Sequence, residues 1–264
     1  MIFLIYFILG IIQGFTEPIP VSSSGHLIIF KEIFNIEYLN DLNFEIIVNF
    51  GSLIAVCFFY RKELIILIKE FYLYIKTRKE KYKENFKYCI YIIIGTIPAG
   101  IFGLIYKDML ENITNITTVS IALLMTGGLL YIIRNLKGEK NKLNYKDAIY
   151  IGFYQVLALL PGISRSGATI VGGMFRNLKR EIAFKFSFFL YIPISVATMI
   201  LGTKDLINTP NINSLILPYL LGLIASTIVT YFSLKWFKKI MLKGKLIYFA
   251  IYCFILGLIG LMIL

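Results

Sequence analysis

Long apolar stretches recur along the whole chain, and polar residues gather in short islands between them. Six stretches, near residues 44–60, 88–106, 117–134, 184–203, 214–234 and 246–264, are each about the twenty residues a helix needs to cross a bilayer. Two further apolar regions are interrupted: residues 1–33 at Pro18 and Pro20, and residues 147–180 at Pro161-Gly162. Each half is short. Sixteen helical residues reach only about 24 Å against a hydrocarbon core of about 30 Å. The pattern therefore predicts two re-entrant hairpins, each a pair of short helices entering and leaving on one side. Such backbone is tolerated only where protein or a polar cavity surrounds it. Residues 62–76, KELIILIKEFYLYIK, mix Lys and Glu with apolar residues at helical spacing and predict an amphipathic helix at the membrane interface.

Composition agrees. Of 264 residues 58% are hydrophobic, and mean hydropathy is +0.77. This excludes an ordinary soluble domain and an anchored one. The first apolar run leads straight into polar residues without a small-residue cleavage pattern, so no removable signal is expected. A net charge of +12 could suggest nucleic acid, but its distribution argues otherwise. Loop 61–87 carries nine Lys/Arg, and loops 134–146 and 235–245 carry five each; loops 34–43, 107–116 and 204–213 carry none, one and one. That asymmetry predicts the first set on the cytoplasmic side and the second outside. Cys57, Cys89 and Cys253 stand alone in apolar runs and read as small buried hydrophobes.

Tracing the chain through this topology gives one hairpin plus three crossings in each half. Three is odd, so the second half is inverted relative to the first. The sequence repeats accordingly: GIIQGFTEPIPVSSSG from Gly10 and GFYQVLALLPGISRSG from Gly152 align at an offset of 142. Gly10 then meets Gly152, Gln13 meets Gln155, Ser22 meets Ser164, Ser24 meets Ser166, and Gly25 meets Gly167. The expected architecture is an all-α polytopic membrane protein. It has about six transmembrane helices, two re-entrant hairpins and inverted repeats over about 1–134 and 147–264 of a single membrane domain. Broken helices of inverted repeats are one way to build a polar site inside a membrane.

The breaks carry the chemistry. In PGISRSGAT, Pro161 to Thr169, Ser164 or Ser166 can cap a helix beginning around Gly167. A helix N-terminus favours an anion. Arg165 adds a planar fork suited to phosphate, and Thr169 lies four residues on, along the same face. An arginine at membrane depth costs about 2.5–3.5 kcal/mol on insertion scales, so it is kept for a partner. In the first break, Ser22, Ser23 and Ser24 precede a second helix start. Two helix starts aimed at one point suit a ligand with more than one phosphate. Gln13 and Glu17 share a helical face, and their oxygens could hold a hard cation such as Mg²⁺ with phosphate oxygens and water. His26 is the one histidine and the one group there that ordinarily titrates near neutrality.

QGFTEPIPVSSSGH and PGISRSGAT resemble the two signature motifs of the bacitracin-resistance type of undecaprenyl-diphosphate phosphatase. The likeness extends to chain length, motif spacing, and the segments NFGSLIAV (Asn49 to Val56) and GTIPAG (Gly95 to Gly100). The family's first motif is Glu or Gln, three residues, then Glu, and Gln13 and Glu17 occupy those positions. The resemblance implies a metal-dependent membrane phosphatase, using Mg²⁺ or Ca²⁺, that converts undecaprenyl diphosphate to the monophosphate for peptidoglycan and other envelope polymers. It also implies a link to bacitracin resistance, because that antibiotic sequesters the substrate. On that reading Arg165, Ser164, Ser166 and Thr169 hold the diphosphate, and Glu17, assisted by Gln13, binds the metal or acts as base. His26 is nucleophile or acid–base, with Ser22, Ser23 and Ser24 positioning it or the phosphate; Ser23, His26 and water all stand as attacking groups. The expected location is the plasma membrane, with the site facing outward and a polyprenyl diphosphate lipid as partner. The competing reading is a transporter of prenyl phosphate lipids, since inverted repeats with discontinuous helices also build secondary transporters.

Overall fold

The computed structural model describes residues 2–33, 42–207 and 212–262. The expected external loops 34–43 and 204–213, and the last two residues of the expected final crossing, lie partly or wholly outside them. Every regular element among the described residues is helical. The first broken region forms α1 (Ile2–Thr16) and α2 (Ser23–Ile33). Then come α3 (Leu42–Phe59), α4 (Arg61–Thr77), a 3₁₀ turn at Glu80–Tyr82, α5 (Lys83–Ile105), the short α6 (Lys107–Asn112) and α7 (Ile116–Ile133). The second broken region forms α8 (Tyr145–Leu157) and α9 (Arg165–Phe175), followed by α10 (Arg180–Ile207), α11 (Ile212–Leu242) and α12 (Ile247–Met262).

Among the described residues, four stretches are long and apolar enough to cross a membrane: Glu80–Ile105, Ile116–Ile133, Arg180–Thr203 and Leu215–Leu242. Ile2–Thr16, Asn43–Phe59 and Ile247–Met262 are shorter apolar helices. The chain is thus a multi-pass helical membrane protein. The expected crossings at 44–60 and 246–264 fall on two of the shorter helices. The helix expected at 214–234 runs on to Leu242, because Lys235, Lys238 and Lys239 are good helix formers that leave the apolar core without ending the helix.

Close helix crossings set the packing. α1 lies along α11, α8 along α5, α3 along α11, and α7 along α12. A Cβ on Gly10 would sit 2.5 Å from the Gly222 carbonyl oxygen, and one on Gly152 would sit 2.7 Å from that of Gly95. Small residues let membrane helices approach backbone to backbone, where van der Waals contact drives association. Phe184, Phe186, Phe188 and Phe189 of α10 are buried in the central core with Tyr60 and Phe237. Ser52 on α3 reaches the hydroxyls of Ser226 (3.0 Å) and Thr230 (2.9 Å) on α11, satisfying polar groups that lipid would not. On α4, Ile65, Ile68, Tyr72 and Ile75 stay exposed along one face, and among its residues only Leu67 is buried. That stripe fits a helix lying in the interface.

At the basic end of α8, Asp147 is 0% exposed. It closes a capping box with Asn144, and pairs with Lys140 and with Arg176 (2.9 Å), which caps the end of α9. Burial disfavours its charged form, yet Lys140, Arg176 and the Asn144 backbone N–H together hold its carboxyl below the usual aspartate value. This clasp ties the start of the second broken region to its end.

Candidate active site

The proline-containing break is ordered by its own backbone. Glu17 N–H still donates to the Gln13 carbonyl (2.8 Å), so Glu17 continues the last turn of α1 before Pro18 ends it. The chain then turns to Ser22, whose φ of 65° lies in the left-handed region. Ser22 Oγ accepts from Gly25 N–H (3.3 Å) and caps α2. The second break is built alike. Gly162 has φ 99°, where a side chain would strain, and its carbonyl accepts from Thr126 on α7 (3.1 Å). Ser164 Oγ accepts from Gly167 N–H (3.2 Å) and caps α9. The helix therefore begins at Arg165, about two residues earlier than the sequence suggests, because Ser164 and not Ser166 is the cap.

The two breaks meet. Ser166 Oγ donates to the Ile19 carbonyl (3.3 Å). A Cβ on Gly25 would lie 3.4 Å from Gly162 Cα, and one on Gly167 would lie 3.2 Å from Pro20 Cβ. Across this seam Arg165 Nη2 donates to Glu17 Oε1 (2.8 Å). The second oxygen, Glu17 Oε2, accepts from Ser23 Oγ (2.5 Å) and from Gln13 Nε2 (3.0 Å). Glu17 and Arg165 side chains are 12% and 15% exposed, so this is a sheltered pair with a way in. Arg165 Nη1 is buried with no hydrogen-bond partner. A desolvated donor of that kind is unfavourable until an acceptor arrives.

Other expected residues are placed differently. His26 is turned to Tyr252: Nε2 lies 2.6 Å from the Tyr252 hydroxyl, and the ring planes are nearly parallel. His26 Nδ1 is 2.7 Å from the Ser22 carbonyl, which can only accept, so Nδ1 carries the proton and Nε2 accepts from Tyr252 in the neutral ring. The Thr169 hydroxyl is fully buried against Ser187 (2.6 Å) and its own helix, in the contact of α9 with α10. It is not drawn into the Glu17 cluster, because its face of α9 packs on α10. Ser22, Ser164 and Ser166 spend their hydroxyls on backbone or on each other and shape the breaks, while Ser24 Oγ lies 3.4 Å from Ser22 Oγ. Tyr191 and Tyr252 were not read from the sequence, since aromatic residues inside apolar helices give no local signal; Asn49 was read only as the start of NFGSLIAV, with no role.

From the breaks a groove of about 970 Å³ extends between α2, α3, α5, α6, α7 and α10. Ser24 and Pro161 line it at the breaks; Ile28, Leu104, Leu159, Ile194 and Leu201 form apolar walls, and Glu32, Glu45 and Lys107 also border it. The donors of the Glu17 cluster, next in the chain to the Ser24 that lines the groove, suit a divalent cation only in part. Glu17, Gln13 and Ser23 offer hard oxygens, but with one carboxylate, and among the described residues no cluster of three His, Cys, Asp or Glu could hold a metal alone. Mg²⁺ sites of this kind take one or two carboxylates and let substrate phosphates complete the shell, so the residues fit such an ion with its substrate.

A carboxylate–guanidinium pair with an adjoining serine thus lies where two broken helices touch, in a multi-pass helical membrane protein whose apolar groove reaches the same breaks at Ser24 and Pro161. The chain belongs to the bacitracin resistance protein BacA family, whose family model matches residues 6–259. It is 48% identical over 262 residues to undecaprenyl-diphosphatase 1 of Bacillus cereus, covering 98% of this chain and 97% of that one. It is 47% identical to undecaprenyl-diphosphatase 1 of Bacillus licheniformis (96% and 95% covered), and 44% identical to undecaprenyl-diphosphatase of Oceanobacillus iheyensis (98% and 96% covered).

Proposed function

We propose that this protein is an integral membrane phosphatase that hydrolyses undecaprenyl diphosphate to undecaprenyl phosphate and inorganic phosphate, recycling the carrier lipid for cell-wall synthesis. The observation that carries the reading is the Glu17–Arg165 pair with Ser23 at 2.5 Å, in a chain so similar along its length to undecaprenyl-diphosphatases. The relatives' names favour hydrolysis, and nothing in them favours a transporter.

The diphosphate sits at the starts of α2 and α9, where free N–H groups and helix dipoles favour negative charge. Arg165 offers Nη1 to a phosphate oxygen. Ser23 Oγ attacks the terminal phosphorus as its proton passes to Glu17 Oε2. The bond from that phosphorus to the bridging oxygen breaks, and the lipid monophosphate leaves with the electron pair. Water then cleaves the phosphoserine and releases phosphate. Ser23 is preferred to His26 as nucleophile because Glu17 stands against its hydroxyl, whereas both His26 nitrogens are engaged. His26, with Tyr252, serves in proton transfer. A divalent ion held by Glu17 and the amide oxygen of Gln13 would neutralise charge on the diphosphate. The prenyl tail lies along the apolar groove.

The inverted repeat belongs to this reading. Exchanging the halves takes the α1–α11 contact to α8–α5, and Gly10 on Gly222 to Gly152 on Gly95. It takes the Ser22–Gly25 cap to Ser164–Gly167, and the Gly25–Gly162 contact to Gly167–Pro20. Lys107 and Asn115, on loop 107–116 with its sparse positive charge, border the groove, which supports an extracytoplasmic approach.

The test uses purified protein in detergent with a C15 or C55 prenyl diphosphate, with and without Mg²⁺. Phosphate release is expected with the metal and a steep loss on chelation. Glu17→Gln, Ser23→Ala and Arg165→Ala should each lower turnover by about a thousandfold or more while keeping the fold. Acid-stable phosphoserine trapped at position 23 supports the assigned nucleophile; acid-labile phosphohistidine would replace Ser23 by His26. Release with solvent ¹⁸O in one turnover, and no adduct, would replace it by water.

A further inference from the structure

The segment NFGSLIAV begins with a residue that the mechanism leaves unused. Asn49 on α3 faces α10: its Oδ1 accepts from the Tyr191 hydroxyl at 2.6 Å, its backbone carbonyl accepts from the same hydroxyl at 3.0 Å, and its Nδ2 donates to Ser195 Oγ at 3.5 Å. Tyr191 is buried, and the Arg165 guanidinium carbon lies 3.9 Å from its ring centroid. The ring is thus fixed at its hydroxyl end and offers its electron-rich face to the cation.

Arginine and carboxylate usually meet through two parallel hydrogen bonds. Here one is given, Nη2 to Glu17 Oε1, while Nη1 stays buried and unpaired and Glu17 Oε2 is left to Ser23 and Gln13. A cation free to turn would take both carboxylate oxygens and displace Ser23 from its base. We propose that Tyr191, anchored by Asn49, is a positioning residue that holds the Arg165 plane in this one-pronged pose. Nη1 is thereby reserved for a phosphate oxygen and Glu17 Oε2 for Ser23. The inference rests on the reading of Arg165 as the diphosphate-holding group.

Tyr191→Phe keeps a buried ring with an electron-rich face and loses only the hydroxyl; 3,4,5-trifluorophenylalanine at the same position keeps nearly the same shape but removes that face. Turnover of a C15 prenyl diphosphate, inhibition by inorganic phosphate and thermal unfolding are measured for each. Phenylalanine, lacking the hydroxyl anchor, should lose about threefold in kcat/KM. The fluorinated ring should lose about tenfold more, with the phosphate inhibition constant rising in step and melting unchanged. A residue that only fills space would give the two rings equal constants. If fluorination leaves both constants as in phenylalanine while Arg165→Ala abolishes turnover, the inference fails alone. Turnover persisting in folded Arg165→Ala overturns the reading beneath it as well.

Discussion

Glu17 serves three partners at once, and its two oxygens divide them. Oε1 faces Arg165, and Oε2 faces Ser23 and Gln13. His26 stands apart on Tyr252, which gives a prediction separable from the Glu17 cluster. Tyr252→Phe removes one hydroxyl from His26 Nε2 without touching the diphosphate cradle. It should lower kcat about tenfold and leave inhibition by inorganic phosphate nearly unchanged, as read from steady-state kinetics. An equal rise in the phosphate inhibition constant would put Tyr252 in the cradle. Glu17, Ser23 and Arg165 were legible in the sequence because polar residues in a proline-broken apolar run have few bland explanations. Tyr191 and Tyr252 were not. With 18 tyrosines among 264 residues, nothing local separates a ring on Arg165 from a ring against lipid.

Short helices need ends that hold. α8 and α9 have thirteen and eleven residues, too few to be stable by propensity alone, so their termini matter more than those of longer helices. The Asp147 clasp secures both at once. Asp147→Asn should destabilise the protein by about 2–3 kcal/mol, since Lys140 and Arg176 lose their partner though each still reaches water. The pH dependence follows from the sign. The folded carboxyl titrates lower than the unfolded one, so its stabilisation is complete above the ordinary value of 3.8 and fades as pH falls through the folded value. Melting followed from neutral to strongly acidic pH should therefore show an acid-dependent loss in the native protein that is smaller in Asp147→Asn. The sequence marked both broken regions but gave no sign of what Arg176 pairs with. Its partner lies 29 residues earlier, beyond the reach of helical periodicity. Ser164 was one of two caps considered, and spacing alone could not choose between them.

At the scale of the molecule, the loop charges and the groove make one prediction. A cysteine at position 107 should react with a membrane-impermeant thiol reagent in intact cells, in a background without Cys57, Cys89 and Cys253, and one at position 79 should react only after lysis. The reverse pattern would turn the groove to the cytoplasm. What was legible at this level is the multi-pass helical architecture, because apolar runs of membrane-crossing length are written locally in the chain; the sidedness and the inverted repeat belong to the proposed reading, and the thiol test decides the sidedness. The glycine crossings were not legible, since a contact such as Gly10 on Gly222 joins residues far apart in the chain.

On the proposed reading, the seam between the breaks leaves neither half with a complete centre: Glu17 and Ser23 come before the loop at 134–144, and Arg165 comes after it. Cutting the gene in that loop, between Lys137 and Gly138, keeps Lys140 with Asp147 and separates the chain into two polypeptides, each inert alone. Expressed together they should find each other in the bilayer and restore phosphate release. The activity of this protein is then a form of partnership that a split reporter could use to sense when two membrane-anchored molecules come together.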